Sequence, residues 1–230
     1  MEILKGQLPN SRMYKKGRTK SVKFLVVHYT GNRGDTALNN VKYFAGNPER
    51  AASSHYFVDG SSIYTSVPET DTAYHCGGGL QGKHGHAWYG ICTNSNSIGI
   101  EMCLLDKNGK IRSGTVNNCV ELVRYLMDRY GIPIENVIRH WDVTGKECPG
   151  MFTGDNNALW NEFKSKLKED NAMTQSERKE FEYLKEMVNL VGQDIAEIKN
   201  RLTAIEKENA RQNDIINLVG QDIENLKKGV

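Results

Sequence analysis

The last quarter of this chain repeats itself on a period that suits one kind of structure. Asn189-Leu190-Val191-Gly192-Gln193-Asp194-Ile195 recurs as Asn217-Leu218-Val219-Gly220-Gln221-Asp222-Ile223. The offset is 28 residues, or four heptads, so both copies keep one register. With Phe181 at a, the a positions are Phe181, Val188, Ile195, Leu202, Asn209, Ile216, Ile223 and Val230. The d positions are Leu184, Val191, Ile198, Ile205, Gln212, Val219 and Leu226, and 13 of these 15 residues are apolar. A seam of that length predicts a coiled coil. Val191, Ile198, Ile205 and Val219 are β-branched d residues, and β-branching at both a and d disfavours dimers. The expectation is a parallel homo-oligomer, trimer or tetramer, with Asn209 and Gln212 as a polar layer that sets register at some cost in stability.

Everything with site chemistry precedes this tail. All five prolines, three tryptophans, five cysteines and six histidines lie before residue 170. From Asn171 onward stand 9 basic and 11 acidic residues, against 21 and 17 before it, so the front is mildly basic and the tail mildly acidic. A total of +2 leaves no strong nucleic-acid footprint. The boundaries read as a front domain over 1–168, a polar linker over 169–176 and a coiled-coil segment over 177–230. An odd cysteine count without regular spacing argues for reduced thiols rather than a disulfide framework. Met1-Glu2-Ile3-Leu4-Lys5-Gly6 opens no long apolar stretch, so no signal peptide is expected.

Strands interleave with helices in the front part, which predicts a mixed α/β layer. Val22 to His28 reads as a buried strand and Thr36 to Ala45 as a helix ending at Gly46. His55 to Val58 and Ile63 to Val67 read as a hairpin joined through an Asp59-Gly60 turn. Gly77 to Asn96 reads as a long loop, Ser97 to Leu104 as a strand and Thr115 to Tyr130 as an amphipathic helix. A last helix, Asp155 to Leu167, carries Leu159, Phe163 and Leu167 on one face.

Two segments hold the chemistry. Val26-Val27-His28-Tyr29-Thr30 ends a strand on an imidazole. Arg139-His140-Trp141-Asp142-Val143-Thr144-Gly145-Lys146-Glu147-Cys148-Pro149-Gly150 sets an imidazole, an ammonium and a thiol within nine residues. Two His and one Cys make a three-ligand zinc set, and three ligands with one open position distinguish catalytic from structural zinc. A strand histidine or a cysteine before proline, taken alone, would be an ordinary core residue.

Together with SSHYFVDG, AYHCGG and NSNSIGIEM, in that order over roughly residues 20 to 165, these segments resemble the zinc-dependent type 2 N-acetylmuramoyl-L-alanine amidases. That family shares its fold with peptidoglycan recognition proteins and amidase-type phage lysozymes. The resemblance implies a mixed central sheet flanked by helices, with zinc held by His28, His140 and Cys148. It implies Glu101 as general base, Lys146 as the group that stabilises the developing oxyanion, and His75 as a residue lining the substrate groove. Some members place a tyrosine directly before the histidine of the SHYF-like segment. Ser54 stands there in this chain, which shifts weight to Glu101 and leaves His55 as a packing or supporting residue. His84 and His86 have no partner apparent in the sequence.

The implied activity is that of an endolysin. It would cleave the amide between N-acetylmuramic acid and L-alanine of peptidoglycan and wait in the host cytoplasm until a holin opens the membrane. A cytosolic muropeptide-recycling amidase and a non-catalytic peptidoglycan-binding module are the alternatives. Met173 follows Lys168-Glu169-Asp170, which purine-rich codons resembling a ribosome-binding site can encode. Internal initiation there would supply tail-only chains that share the a/d seam.

Overall fold

The computed structural model describes residues 1–46, 49, 51–168 and 175–229. Met173, most of the expected linker (169–174) and Val230 lie outside the described residues. Contacts divide the chain into two units, Met1–Asp170 and Asn171–Val230.

The first unit is the expected mixed α/β layer. Its strands are β1 (Tyr14–Lys15), β2 (Phe24–Tyr29), β3 (Tyr56–Val58), β4 (Ile63–Thr65), β5 (Thr72–Ala73), β6 (Ser97–Met102) and β7 (Val137–Arg139). Its helices are α1 (Ala37–Ala45), α2 (Ser113–Tyr130), α3 (His140–Thr144) and α4 (Ala158–Lys168). The central sheet has the order β4-β3-β6-β2-β7, while β1 and β5 pair separately. β3, β6, β2 and β7 run parallel, and β4 is antiparallel to β3.

Strand alternation sorts the side chains into layers. Leu25, Val27, Ile98, Ile100 and Met102 join one core with Leu122, Val123 and Leu126 of α2 and Phe163 and Leu167 of α4. Each fully buried residue of this size contributes about 1.5–3 kcal/mol before entropy is counted. Phe24 and Val26 face the other way, toward Ile138 and Val143. Phe57, between Tyr56 and Val58, packs on Ala37 and Val41 of α1. The sheet is therefore covered on both sides, as a mainly parallel sheet requires.

Local chemistry sets the ends of these elements. Thr36 Oγ1 accepts the Asn39 N–H at 3.2 Å and caps α1. Gly131, at φ 61°, closes α2 in the left-handed conformation that glycine tolerates. The hairpin keeps the expected inner ends of its strands on either side of the Asp59-Gly60 turn. Val58 pairs with Ile63, leaving four residues in the loop. Asp59 holds the loop together: its Oδ1 accepts from the Ser61 and Ser62 N–H groups, each at 2.8 Å, and its Oδ2 accepts from Ala37 at the start of α1, also at 2.8 Å. One carboxylate thus ties hairpin to helix. In α4 the buried face carries Trp160 in place of Leu159, at 8% against 37% exposure. Trp160 stacks on Phe163 with ring centroids 5.2 Å apart, a larger apolar area than Leu159 could bury.

The second unit contains one helix, α5 (Gln175–Lys228), 54 residues long. At 1.5 Å per residue it extends about 80 Å. Its described apolar a and d side chains are 48% to 72% exposed. No helix among the described residues is long and apolar enough to cross a membrane.

Candidate active site

The site is assembled from the ends of two parallel strands and the turn that follows a third. His28 is in β2 and Glu101 in β6, and they are register partners. His140 opens α3 directly after β7. The segment after α3 then folds back: Trp141 N–H donates to Cys148 O at 2.9 Å, and Cys148 N–H donates to Lys146 O at 2.7 Å. This return places Cys148 Sγ 3.6 Å from His28 Nδ1, although the residues are 120 positions apart. The donor atoms of His28, His140 and Cys148 all lie within 4.8 Å of one another. The His28 and His140 rings meet edge to face, with centroids 4.7 Å apart.

Arg139 and Asp142 brace this turn, a role the sequence reading did not assign. The Arg139 guanidinium donates to both Asp142 oxygens, at 2.9 and 2.7 Å, and to the carbonyls of Phe152 and Gly154. It also lies over the Trp141 ring, 4.5 Å from its centroid. The long loop predicted at Gly77–Asn96 lies against α3, through Gln81 N–H to Thr144 O, His86 N–H to Trp141 O and Trp88 N–H to Asp142 O. A Cβ at Gly85 would meet Trp141 O at 2.5 Å, so this approach needs glycine. His84 and His86 belong to no cluster of metal donors among the described residues.

The electrostatics suit a cation. Burial, then the neighbouring His140, His75 and Lys146, hold His28 well below the usual imidazole range, so the ring is neutral, the form that can bind a metal. Burial and Glu101 push the Cys148 thiol up to about 12. A bound zinc would deprotonate that thiol outright. Glu101 Oε2 is buried without a hydrogen-bond partner. Burial raises its carboxyl to about 7, and Lys146 opposes the rise. A buried, unsatisfied carboxylate oxygen beside two imidazoles and a thiol is the donor chemistry expected around zinc.

A cavity of about 220 Å³ opens on the cluster, lined by His28, His75, Glu101, His140 and Lys146 among others. A larger one, about 740 Å³, adjoins Glu101 and Lys146 and extends along Tyr29, Arg33, Asp35 and Tyr43. His75 is 7% exposed. Its Nδ1 lies 3.1 Å from His28 Nε2 and its Nε2 3.2 Å from Ser97 Oγ, so any contact with a substrate runs through ring carbons. His55 is fully buried, with Nδ1 accepting from Gly99 N–H at 2.9 Å, and stands outside the donor cluster.

Sequence reasoning gave Ser97 and Gly99 no site role and read Cys76, with Cys92, Cys103 and Cys119, as a reduced small core residue. The signal was present: Ser97, Gly99 and Glu101 alternate along β6 and turn to the site, while Ile98, Ile100 and Met102 turn to the core. Gly99 is required there, because a Cβ would meet the His75 ring at 2.6 Å. Cys76 Sγ lies 3.1 Å from His75 Nδ1, and His28, His75 and Cys76 form a second donor group.

A mixed, mainly parallel sheet carrying a buried His-His-Cys donor set at the mouth of a groove defines an α/β protein with three converging side chains of metal-donor type. The chain belongs to the N-acetylmuramoyl-L-alanine amidase family (Amidase_2), whose profile matches residues 18–151. It is 39% identical over 142 residues to the N-acetylmuramoyl-L-alanine amidase CwlL of Bacillus licheniformis, an alignment covering 60% of this chain and 39% of that one. It is 35% identical over 158 residues to BlyA of Bacillus subtilis (strain 168), covering 66% and 42%. The chain thus spans about two fifths of the length of these curated relatives. Among solved structures, PlyL superposes with a TM-score of 0.60 at 31% identity, covering 75% of this chain and 100% of that one. The catalytic domain of XlyA gives 0.58 at 27% identity, covering 73% and 99%.

Proposed function

We propose that this protein is a zinc-dependent endolysin that hydrolyses the amide between N-acetylmuramic acid and L-alanine in bacterial peptidoglycan. The observation that carries the reading is the convergence of His28, His140 and Cys148 within 4.8 Å, with Glu101 on the adjoining strand. Family membership and the amidase names of its relatives support the substrate class. Zinc held by these three residues would supply Lewis acidity and a water acidified toward neutral pH. Glu101 is the general base: its unpartnered Oε2 takes the proton of the attacking water and returns it to the leaving amine. Lys146, at the mouth of both cavities, offers its ammonium to the oxygen on which negative charge develops. His75 borders the groove beside them.

The tail is the oligomerisation segment of this reading, a parallel trimer or tetramer built on the exposed a and d stripe of α5. The domain scheme keeps 1–168 as catalytic domain, 169–176 as linker and 177–230 as coiled coil. Chains initiated at Met173 would join the same bundle. A denaturing gel of the product of the native gene tests that point: a small second band lost in Met173→Leu supports it, and a single full-length band under non-proteolytic conditions rejects it. Storage in the host cytoplasm and holin-dependent release complete the scheme.

Purified cell walls digested with and without chelator test the activity. New N-terminal alanine that disappears with chelator is expected. New reducing sugar alone would make the enzyme a glycosidase, and binding without release would make it a recognition module. Cleavage of soluble muropeptides but not intact walls would favour a recycling amidase, for which an oligomerising tail has no evident use.

A further inference from the structure

His28 can present only one of its two nitrogens to a metal, and the surrounding hydrogen bonds decide which. Ser97 Oγ lies 2.6 Å from Thr93 O, and a carbonyl cannot donate, so the hydroxyl proton points there. Ser97 Oγ then faces His75 Nε2, at 3.2 Å, with a lone pair. His75 must carry its proton on Nε2, and its Nδ1 is an acceptor. His28 Nε2 stands 3.1 Å from that Nδ1. The two ring centroids are 5.2 Å apart, which exceeds the N···N distance by close to two ring radii, so the contact lies nearly along the line joining the rings. A histidine that ligates zinc is neutral and carries a single N–H, and a second proton on His75 Nδ1 would face the donor set that must receive a cation. Cys76 Sγ also lies 3.1 Å from His75 Nδ1, but a thiol is the weaker donor. The lone pair therefore takes the His28 Nε2 proton, leaving His28 Nδ1 bare on the side where Cys148 Sγ waits at 3.6 Å.

We infer that His75, oriented by Ser97, is the positioning residue that holds His28 in the Nε2–H tautomer and so aims its Nδ1 at the metal. A ligating histidine usually donates its second N–H to a carboxylate, a carbonyl or water. Here the acceptor is a second imidazole, whose own tautomer is set by a hydroxyl locked on a backbone carbonyl. Gly99 belongs to the same device, because only a residue without Cβ lets the His75 ring lie against β6. The inference rests on the zinc site proposed above. It also sets a role for the second donor group, His28, His75 and Cys76, as support for the ligand rather than a seat for the ion.

The test reads zinc affinity by competition with a chromophoric chelator, alongside the imidazole nitrogen spectrum of the metal-free full-length protein. His28 is expected to show a protonated Nε2 and a bare Nδ1. His75→Phe removes the acceptor and should weaken zinc about ten- to a hundredfold. His75→Gln, which can accept from His28 and donate to Ser97, should recover part of that loss. Ser97→Ala should give a smaller loss in the same direction, with both His28 tautomers populated. Unchanged affinity in folded His75→Phe and Ser97→Ala would overturn the inference, as would a protonated His28 Nδ1 in the parent. So would zinc that survives Cys148→Ala but vanishes in His75→Phe, since the ion would then sit on the other nitrogen. If His75→Phe does not fold, the parent and Ser97→Ala spectra decide. Walls left intact by a protein whose zinc responds as expected would reject the amidase reading and leave this inference standing.

Discussion

His28 and Glu101 are direct register partners on two parallel strands, β2 and β6. Neighbouring strands lie about 4.8 Å apart, so the sheet itself sets the spacing between the proposed metal ligand and the proposed base. No loop has to close to bring them together.

Cys148→Ala should abolish stoichiometric zinc binding and wall lysis together, whereas Cys148→Asp should keep part of both, since a carboxylate also ligates zinc. Metal content after gel filtration and turbidity loss of a cell-wall suspension give the two readings. Stoichiometric zinc and full lysis in Cys148→Ala would remove the residue from the site.

Glu101→Gln should leave zinc content and thermal midpoint near the parent values and lower turnover by roughly 10²–10⁴, the range for a lost general base. A loss below about threefold, far under that range, would make Glu101 structural. Lys146→Ala should lower kcat more than it raises KM, because the charge it stabilises exists only in the transition state.

Acid should destabilise the metal-free protein, and His55 should account for part of the slope. Burial, then Arg18, lower its imidazole to about 3. Between that value and 6.5 the unfolded chain takes up a proton that the folded chain refuses, so stability is full above 6.5 and is lost as pH falls. Glu101, raised to about 7, works oppositely and costs stability as pH rises from 4.5 to 7. His28 and His75 share the sign of His55, so the histidines prevail. In chelator, the urea midpoint should fall from pH 6.5 to 4.5. The fall should be shallower in His55→Asn, by about 1.4 kcal/mol per pH unit at most. Parallel slopes for the two proteins would place the acid sensitivity elsewhere.

Light scattering of the full chain should return three or four times the monomer mass. Ile198→Asp, at a central d position, should dissociate the assembly while leaving zinc content unchanged. A monomeric mass for the parent would reject the seam as an oligomerisation surface.

Much of this was legible in the chain because it is local. The apolar run ending at His28, the helix ending at Gly46, the amphipathic helix that stops at Gly131 and the heptads of the tail each announce themselves within a few residues. What stayed hidden depends on the third dimension. Leu159 and Trp160 differ by one position, and only the Phe163 ring and the Arg139 guanidinium beside Trp160 decide which turns inward. Asp59 fastens its loop to α1 through the Ala37 N–H, 22 residues away, which no local pattern announces. Ser97 looked like the first residue of a strand, and its purpose emerges only once His75 is seen above it.

Strand β6 carries one further consequence, which concerns how such a protein can vary. Its core-facing residues seal the sheet and its alternate residues serve the site, so a one-residue insertion before Ser97 would exchange the two sets at a stroke. Ile98 and Ile100 would enter the groove, and Glu101 would be driven among leucines. Folding and the proposed catalysis would fail at the same step along this strand. A library screened for clearing zones on bacterial wall is therefore also a library screened for a correctly threaded sheet, and survivors need no separate assay of fold.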